Sequence, residues 1–222
     1  MIPRPEDWRL PSRGPVVVKL GGSLLLWKDL PARLGKFLDW CKAEGAMTIL
    51  VAGGGELADF VRAMDHCHHM DDTISHDLAV RAMDLTCHCL ASLLPGQLQA
   101  VDHFAALPAT WNRGLVPVLA PFRFLTELDR QHPHPLPPSW RVTSDSIAAR
   151  IAETIGSHDL VLLKSRDIPP GTSIRQAVHH GLVDPMLPEA AAKIPRVLTL
   201  NFRDPAGIAR ELLKHHVSHQ MQ

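Results

Sequence analysis

The chain has 222 residues, and its 23 Lys and Arg balance its 23 Asp and Glu, so the formal net charge is zero. A balanced charge gives no electrostatic reason to expect nucleic acid or an anionic membrane as a partner. No apolar run reaches the roughly 20 residues that span a bilayer, and the N-terminus lacks the apolar core of a signal peptide. We therefore expect one cytoplasmic domain over residues 1–222, with an irregular, proline-rich arm at 1–14.

The cysteines and histidines show no metal-binding pattern. Without a secretion signal, we expect the four cysteines to be reduced thiols. Cys87 and Cys89 flank His88, but this segment has a helical pattern, in which residues i and i+2 point apart. The histidine pairs lie in polar or loop surroundings, with no carboxylate or cysteine at ligand spacing. We therefore expect surface histidines and no metal site built by the protein alone.

The most informative stretch is residues 16–23, which read Val-Val-Val-Lys-Leu-Gly-Gly-Ser. The valines predict a buried strand, and Gly21 and Gly22 let the chain turn sharply and approach a ligand closely. Successive N–H groups in such a turn form an anion site, to which Ser23 adds a hydroxyl donor. Lys19 lies just before the turn, within reach of the same anion. We expect these residues to bind phosphate groups.

A second glycine turn follows the next apolar strand. Residues 47–52 predict that strand, Gly53, Gly54 and Gly55 come directly after it, and a helix begins at Glu56. Two consecutive strands could place both turns at one edge of a sheet, where they suit the phosphates of a donor and an acceptor. Neither turn matches the P-loop or the G-x-G-x-x-G dinucleotide motif. Tight turns without a ligand are the alternative.

Three helices are predicted in the first half of the chain. The first begins after Asp29, has Pro31 in its first turn and ends at Gly45. The second begins at Glu56 and has four apolar residues on one side, and the third spans residues 73–94. The apolar residues of the second helix are Leu57, Phe60, Val61 and Met64. The expected core residues of the first and third helices are Leu34, Phe37, Leu38, Cys41, Ile74, Leu78, Met83, Leu85 and Leu90.

The second half of the chain alternates short strands with helices. Strands are predicted at 98–101, 115–119, 160–163 and 197–200, and helices from 145 to 155 and from 205 to 215. Five prolines between residues 121 and 138 predict a loop over 121–139. The alternation indicates an α/β protein with a mostly parallel sheet. Ligands bind such sheets beyond the carboxyl ends of the strands, where Lys19, both glycine turns and Lys164 are predicted to lie.

These positions suit phosphoryl transfer, which requires two anions held in line and neutralisation of the developing charge. Lys19 and Lys164 are our candidates for neutralising that charge, and Asp145 is our candidate for orienting both lysines. Asp167 could hold Mg²⁺ directly or through water. The alternatives are a surface lysine at position 164 and a plain helix start at Asp145, because Thr, Ser and Asp are all good helix caps.

Four polar residues near the second glycine turn are candidates for binding the acceptor. Arg62, seven residues after Gly55, could reach an acceptor phosphate. Asp72 and His76 are one helical turn apart and could face the same pocket, and Asp84 is a second candidate carboxylate for a cationic acceptor. The alternative is that these are solvated helix charges and a capped helix start.

Three motifs together resemble the amino acid kinase superfamily over about residues 16–202. They are residues 18–23, the glycines at 53–55, and Thr143-Ser144-Asp145 before an alanine-rich helix. The resemblance implies a three-layer α/β/α sandwich around a largely parallel sheet, ATP and Mg²⁺ as cofactors, and a homodimer or larger homo-oligomer. It also implies that Thr143 and Ser144 bind the nucleotide together with Gly21, Gly22 and Ser23, and that the second glycine turn binds the acceptor.

Within this superfamily the chain is most similar to the [5-(aminomethyl)furan-3-yl]methyl phosphate kinase-like subfamily of methanofuran biosynthesis. The similar segments are residues 53–62, Asp71-Asp72 with His76, residues 82–84 and residues 139–146. The resemblance implies a small-molecule phosphate acceptor that is converted into a diphosphate. Such an acceptor is acidic enough to need no general base.

The chain departs from the superfamily pattern at a late position. Many members have a second catalytic lysine after a Gly-Met element, but residues 181–186 of this chain contain no lysine. Lys164 is our candidate to replace it. Two other functions therefore stay open: a kinase of the same fold with a carboxylate acceptor, which would form an acyl phosphate, and a non-catalytic nucleotide-binding protein.

Overall fold

The computed structural model describes residues 14–169 and 171–204. The expected arm, apart from Gly14, and the expected final helix at 205–215 lie outside the described residues. Within the described residues, no helix is both long enough and apolar enough to cross a bilayer.

Six parallel strands form one sheet in the order β3-β4-β2-β1-β5-β6. The two strands that precede the glycine turns, β1 and β2, are neighbours, and β5 lies on the other side of β1. The predicted α/β class and mostly parallel sheet are confirmed. The strands are β1 Pro15–Leu20, β2 Met47–Ala52, β3 Leu98–Val101, β4 Val116–Leu119, β5 Asp159–Lys164 and β6 Arg196–Asn201.

Helices cover both faces of the sheet and give the three layers that the family resemblance implies. Successive strand residues point to opposite faces, so Val16 and Val18 pack in one core and Val17 packs in the other. The first core contains α1 and the C-terminal part of α3, and the second contains α6 and α8. The helices are α1 Leu30–Ala43, α2 Gly55–His68, α3 Asp72–Leu93, α4 Leu107–Asn112, α5 Pro121–Arg123, α6 Ser144–Thr154, α7 Ile174–His179 and α8 Leu187–Ala190.

The predicted core is confirmed for α1 and only partly for α3. The four apolar residues predicted to be buried in α1 are all buried. In α3, Met83 and Leu90 are buried, but the prediction was wrong for Ile74, Leu78 and Leu85, which are 56%, 39% and 53% exposed. The helix instead turns a more polar face inward, which includes Ser75, His76 and Thr86. The apolar residues of α3 lie on more than one face, so their spacing does not determine which face is buried.

The proline-rich segment is more regular than predicted. Residues 121–131 form α5, a π-helical turn at Phe124–Leu128 and a 3₁₀ turn at Asp129–Gln131, so the prediction of a loop over 121–139 was wrong for this part. Pro121 occupies the first turn of α5, where its missing N–H has no cost. A buried ion pair between Asp129 and Arg150 (2.9 Å) fastens the segment to α6. Asp129 also accepts a hydrogen bond from the N–H of Leu136 (2.8 Å).

Candidate active site

The two glycine turns pack directly against each other at the carboxyl ends of β1 and β2. A Cβ atom on Gly53 would lie 2.6 Å from the backbone nitrogen of Gly22, closer than any real contact permits. Gly55 has a φ of +55°, a conformation that favours glycine. The close approach therefore requires glycine on both sides. The expected meeting of both turns at one sheet edge is confirmed.

The two turns differ in which N–H groups remain available to an anion. Gly21 donates to the carbonyl of Leu163 and Gly53 donates to the carbonyl of Leu20, both at 2.9 Å, so these two N–H groups extend the sheet. Gly22 and Ser23 have no backbone acceptor in the described part of the chain. The first N–H groups of α2 are also free of helical partners, as in any helix. The donors that face the site are therefore Gly22, Ser23 and the start of α2.

Two lysines share one buried aspartate beside these turns. Lys19 Nζ lies 2.9 Å from Asp145 Oδ1, and Lys164 Nζ donates to Asp145 Oδ2 at 2.6 Å. The side chains of Lys19, Lys164 and Asp145 are only 6%, 14% and 4% exposed. They come from the ends of β1 and β5 and from the first turn of α6. The structure thus brings together the three residues that were predicted to act in catalysis.

The charges of this triad shift the pKa values of two of its members. Burial raises the pKa of Asp145, but the two lysines outweigh it and hold the pKa at about 2. Burial and the nearby charge of Lys19 lower the pKa of Lys164 to about 8, against the opposing effect of Asp145. Asp145 is therefore ionised at neutral pH, and Lys164 loses its proton more readily than an ordinary lysine.

Asp184 holds the start of α6, and with it Asp145, in place. Its carboxylate accepts hydrogen bonds from the N–H and hydroxyl groups of both Thr143 and Ser146. It also accepts hydrogen bonds from the N–H groups of Met186 and Leu187. Asp184 is 6% exposed. It belongs to the late segment that lacks the family's lysine, and this segment contributes a positioning carboxylate to the site.

Two cavities meet at Gly22 and Ser23, which line both of them. The first, which we call the lysine cavity, has a volume of about 180 Å³ and is also lined by Lys19, Lys164 and Ser165. The second, which we call the helix cavity, has a volume of about 250 Å³ and lies among the second glycine turn, α2, α3 and α6. Two ligands bound in these cavities would approach each other at Gly22 and Ser23.

One wall of the helix cavity consists of α2 side chains fixed against Trp140. Arg62 Nη1 lies 2.5 Å from Asp59 Oδ1, and its guanidinium lies over the Trp140 ring, 4.6 Å from the ring centre. The indole Nε1 of Trp140 donates to Asp65 Oδ2 at 2.5 Å. The opposite wall is apolar, with Val80 and Met83 from α3 and Ile147 from α6.

Three more of the predicted site residues line the helix cavity. Thr143 and Ser144, which we expected beside the nucleotide, line the helix cavity together with Gly22 and Ser23, because α6 begins beneath Gly53. His76 also lines the helix cavity, and burial lowers its pKa.

Three predicted residues lie outside both cavities. Asp72 is exposed in the first turn of α3, and Asp84 accepts a hydrogen bond from the N–H of Phe122 (3.1 Å). Asp167 is exposed and lines a neighbouring open groove, which shares Leu182 with the lysine cavity.

Asp59, Trp140 and Asp184 line or support the site but were not predicted to do so. Asp184 is followed by Pro185, and an aspartate that accepts the N–H groups two and three residues later is a common turn motif. That pattern gives a local signal for its contacts with Met186 and Leu187 but none for its contacts with α6. For Asp59 and Trp140 the sequence gives no physical signal, because their place in one cavity wall depends on how the segment that contains Trp140 packs against α2.

The sequence model of the amino acid kinase family matches residues 14–167 of the chain. A curated protein of Methanocaldococcus jannaschii named [5-(aminomethyl)furan-3-yl]methyl phosphate kinase is 28% identical to this chain over 152 residues. That match covers 68% of this chain and 66% of the relative, slightly less than two thirds of the relative's length.

Solved structures show the same fold at low sequence identity. The UMP kinase of Ureaplasma parvum superposes with a TM-score of 0.61 at 15% identity and covers 91% of this chain and 96% of its own. The uridylate kinase of Archaeoglobus fulgidus superposes with a TM-score of 0.58 at 18% identity and covers 89% and 95%.

Proposed function

Since the chain belongs to the amino acid kinase family, we propose that it is an ATP-dependent kinase that transfers a phosphoryl group from the lysine cavity to the helix cavity. The observation that supports this most is the junction of the two cavities at Gly22 and Ser23, beside a buried Lys19–Asp145–Lys164 triad. Two cationic side chains and several backbone N–H groups converge on one point, which is the arrangement that phosphoryl transfer requires.

In this proposal the lysines neutralise the transferring group and Asp145 fixes their positions. Lys19 and Lys164 each contact one oxygen of Asp145. The shared carboxylate therefore holds the two ammonium groups close together against their mutual repulsion. Gly22 and Ser23 supply N–H groups between the donor and acceptor phosphates. Because these groups are fixed before the ligands bind, they need little reorganisation during the reaction.

ATP is the phosphoryl donor in this proposal, and it would bind with Mg²⁺. Within the described residues, no group of three or more His, Cys, Asp or Glu side chains could hold a metal ion. Mg²⁺ often relies on phosphate oxygens and water with only one or two carboxylates, so the residues present fit an ion that arrives with the nucleotide. The ion would neutralise charge on the donor phosphates. Asp167 is our candidate for a contact through water.

For the acceptor we propose a small phosphate monoester that carries an amine, as in the name of the M. jannaschii relative. An oxygen of the acceptor phosphate would form a new bond to the γ-phosphorus of ATP while the bond to the ADP oxygen breaks, giving a diphosphate and ADP. An acceptor phosphate is already ionised at neutral pH, so no side chain needs to remove a proton. The helix cavity offers the N–H groups of α2 and the hydroxyl of Ser144 to such a phosphate.

The direct test measures ADP release from Mg²⁺-ATP by the purified chain, with and without [5-(aminomethyl)furan-3-yl]methyl phosphate. We expect release that depends on the acceptor and that Lys19→Ala abolishes. Lys36→Ala, which removes an exposed lysine of α1, is the matched control and should leave activity unchanged. ATP binding without ADP release on this or a carboxylate acceptor would instead support a non-catalytic nucleotide-binding protein.

We further propose that the active form is a homodimer or larger homo-oligomer. Within the described residues, α2 buries no side chain, and its apolar residues Leu57, Phe60 and Met64 are 40%, 65% and 39% exposed. They adjoin the exposed apolar residues of α3, since the two helices pack together. Covering such a face is favourable because it removes apolar surface from water.

Light scattering after size-exclusion chromatography tests this assembly. We expect the mass of an oligomer for the wild-type chain and a smaller mass for Phe60→Glu. Met47→Glu introduces the same charge at an equally apolar position, 40% exposed at the opposite end of the sheet, and should not change the mass. A monomeric wild-type chain would contradict the proposal.

A further inference from the structure

We propose that Asp59 determines acceptor specificity by binding a cationic group of the acceptor about one helical turn from its phosphate. This inference rests on the proposed function and assigns a substrate class to the helix cavity. It replaces Asp72 and Asp84 as the carboxylate for a cationic acceptor, because neither lines the cavity and Asp59 does.

The charges that line the helix cavity are few and ordered. Asp59 and Arg62 are the only ionised side chains among its described lining residues. His76 also lines it, but burial lowers the pKa of His76 and favours the neutral imidazole. The anion-binding end consists of backbone N–H groups at Gly22, Ser23 and the start of α2. The cavity therefore offers N–H donors at one end and the paired Asp59 carboxylate and Arg62 guanidinium along its α2 wall.

The spacing along α2 sets the size of the ligand. Asp59 lies four residues after Gly55, so the two Cα atoms are separated by about 6 Å along the helix axis. Asp59 and the second glycine turn line the same cavity, and side chains of a helix lean toward its N-terminus, so the Asp59 carboxylate can reach toward the glycine turn. A phosphate bound there and an ammonium bound to Asp59 would be joined by a short spacer. The apolar residues Val80, Met83 and Ile147 suit a spacer that is apolar or aromatic.

Contacts around Asp59 fix its orientation and leave one oxygen available. Oδ1 is paired with Arg62, and Arg62 is held in turn by the Trp140 ring. Oδ2 accepts no hydrogen bond from any described residue, and the side chain is 68% exposed. A carboxylate held on one side and open on the other can accept a charge-assisted hydrogen bond from an ammonium group without rearranging.

The test compares two acceptors that differ only in charge. One is [5-(aminomethyl)furan-3-yl]methyl phosphate, and the other is its hydroxymethyl analogue, in which a neutral hydroxyl replaces the ammonium. Calorimetry gives the dissociation constants of both acceptors for the wild-type chain, Asp59→Asn and Asp59→Glu, and ADP release gives kcat and KM. Asp65→Asn is the matched control, because Asp65 is another carboxylate of α2, contacts Trp140 and does not line the cavity.

We expect Asp59→Asn to weaken binding of the amine about three- to fivefold, the upper range for an ion pair at a largely exposed carboxylate. Binding of the hydroxymethyl analogue should change less than about 1.5-fold, and kcat should stay within a similar factor. Asp59→Glu should recover part of the affinity for the amine. Asp65→Asn should affect both acceptors equally.

Three outcomes would overturn the inference. They are an equal effect of Asp59→Asn on both acceptors, no effect on either, and a wild-type chain that binds the amine no better than the alcohol. Kinase activity with both acceptors but without charge discrimination would overturn the role of Asp59 and leave the proposed function intact. Binding of the amine that depends on Asp59, without ADP release, would support the role of Asp59 and overturn the proposed kinase function.

Discussion

The lysine cavity and the helix cavity share Gly22 and Ser23 but are built in different ways. The lysine cavity is lined by Lys19 and Lys164, whose buried ammonium groups lie at the ends of two central strands and pair with Asp145 in the first turn of a helix. Arg166 also lines this cavity and is exposed. In the helix cavity, Asp59 and Arg62 are 68% and 50% exposed and project from a surface helix. The rigid sheet edge thus suits a chemical step that requires fixed charges, and the helix wall suits ligand selection, which can change without disturbing the sheet.

The largest expected effect follows from removing the negative charge that pairs with the two lysines of the lysine cavity. Asp145→Asn leaves two ammonium groups close together without a counter-charge, so their positions and charges change. We expect kcat to fall about 10²- to 10³-fold, the size of effect seen when one preorganised electrostatic group is lost. ATP affinity should be retained, because both lysines remain. Steady-state kinetics and nucleotide titration measure the two effects.

Asp39→Asn, on the exposed side of α1, is the control for Asp145→Asn and should behave like the wild-type chain. The melting temperatures of both variants should be measured together with their kinetics, because breaking a buried ion pair also destabilises a fold. A folded Asp145→Asn variant with unchanged kcat would contradict the role that we assign to the lysine cavity.

A second prediction concerns the carboxylate that supports Asp145 from behind. Asp184→Asn removes a charged acceptor of hydrogen bonds from Thr143, Ser146, Met186 and Leu187. We expect the free energy of unfolding to fall by about 3 kcal/mol, because buried N–H groups lose their partners. kcat should also fall, since the start of α6 positions Asp145.

Urea denaturation measures the stability of Asp184→Asn, and Ser146→Ala provides the comparison. Ser146→Ala removes a single hydroxyl contact with Asp184 and should cost about 1 kcal/mol. Equal stability losses for the two variants would show that Asp184 does not support the whole start of α6.

A third prediction uses the pKa of Lys164, which burial and the charge of Lys19 lower to about 8. Below that pH Lys164 is protonated and can neutralise phosphate charge, and above it the charge is lost. The pH profile of kcat/KM for ATP, which reports the free enzyme, should therefore decline above about pH 8. The profile of kcat should decline at higher pH, because bound phosphates favour the protonated lysine.

Lys164→Arg should remove this alkaline decline from the kcat/KM profile, since a guanidinium stays charged across the whole range. Its maximal rate is expected to be lower, because the larger group cannot reproduce the 2.6 Å contact with Asp145. An alkaline limb that stays in place in Lys164→Arg would assign the ionisation to another group.

Features of the lysine cavity could be predicted because short-range patterns place them. When glycines follow a strand of a parallel sheet, or a lysine ends it, those residues lie at the carboxyl edge of the sheet. This placement follows from the local sequence once the strand is recognised. Lys19, Lys164 and the first glycine turn follow this rule, and so does the second glycine turn, which lines the helix cavity. Asp145 follows less directly, since the sequence marks it as a helix start and only its contact with both lysines distinguishes it from a simple cap.

The helix cavity could not be predicted in the same way, because its walls depend on how helices pack. Ser144 lines the helix cavity, rather than the lysine cavity, because α6 begins beneath Gly53. Asp72 and Asp84 belong to α3, which forms part of the cavity wall, but this helix is rotated so that His76, Val80 and Met83 face the cavity. No local pattern fixes that rotation, because α3 has apolar residues on several faces.

The smallest expected effect tests how rigid the wall of the helix cavity is. Trp140→Phe removes the hydrogen bond to Asp65 but keeps an aromatic ring beneath Arg62. A cation–π contact at an exposed site is worth about 0.5–1 kcal/mol, so Arg62 should be loosened only slightly and KM for the acceptor should rise about two- to fivefold. Trp140→Ala removes both contacts and should raise KM further. In either variant kcat should change little, because Trp140 does not contact the lysine cavity. A fall in kcat without a change in KM would mean that this wall contributes to the chemical step, and the separation of the two cavities by task would no longer hold.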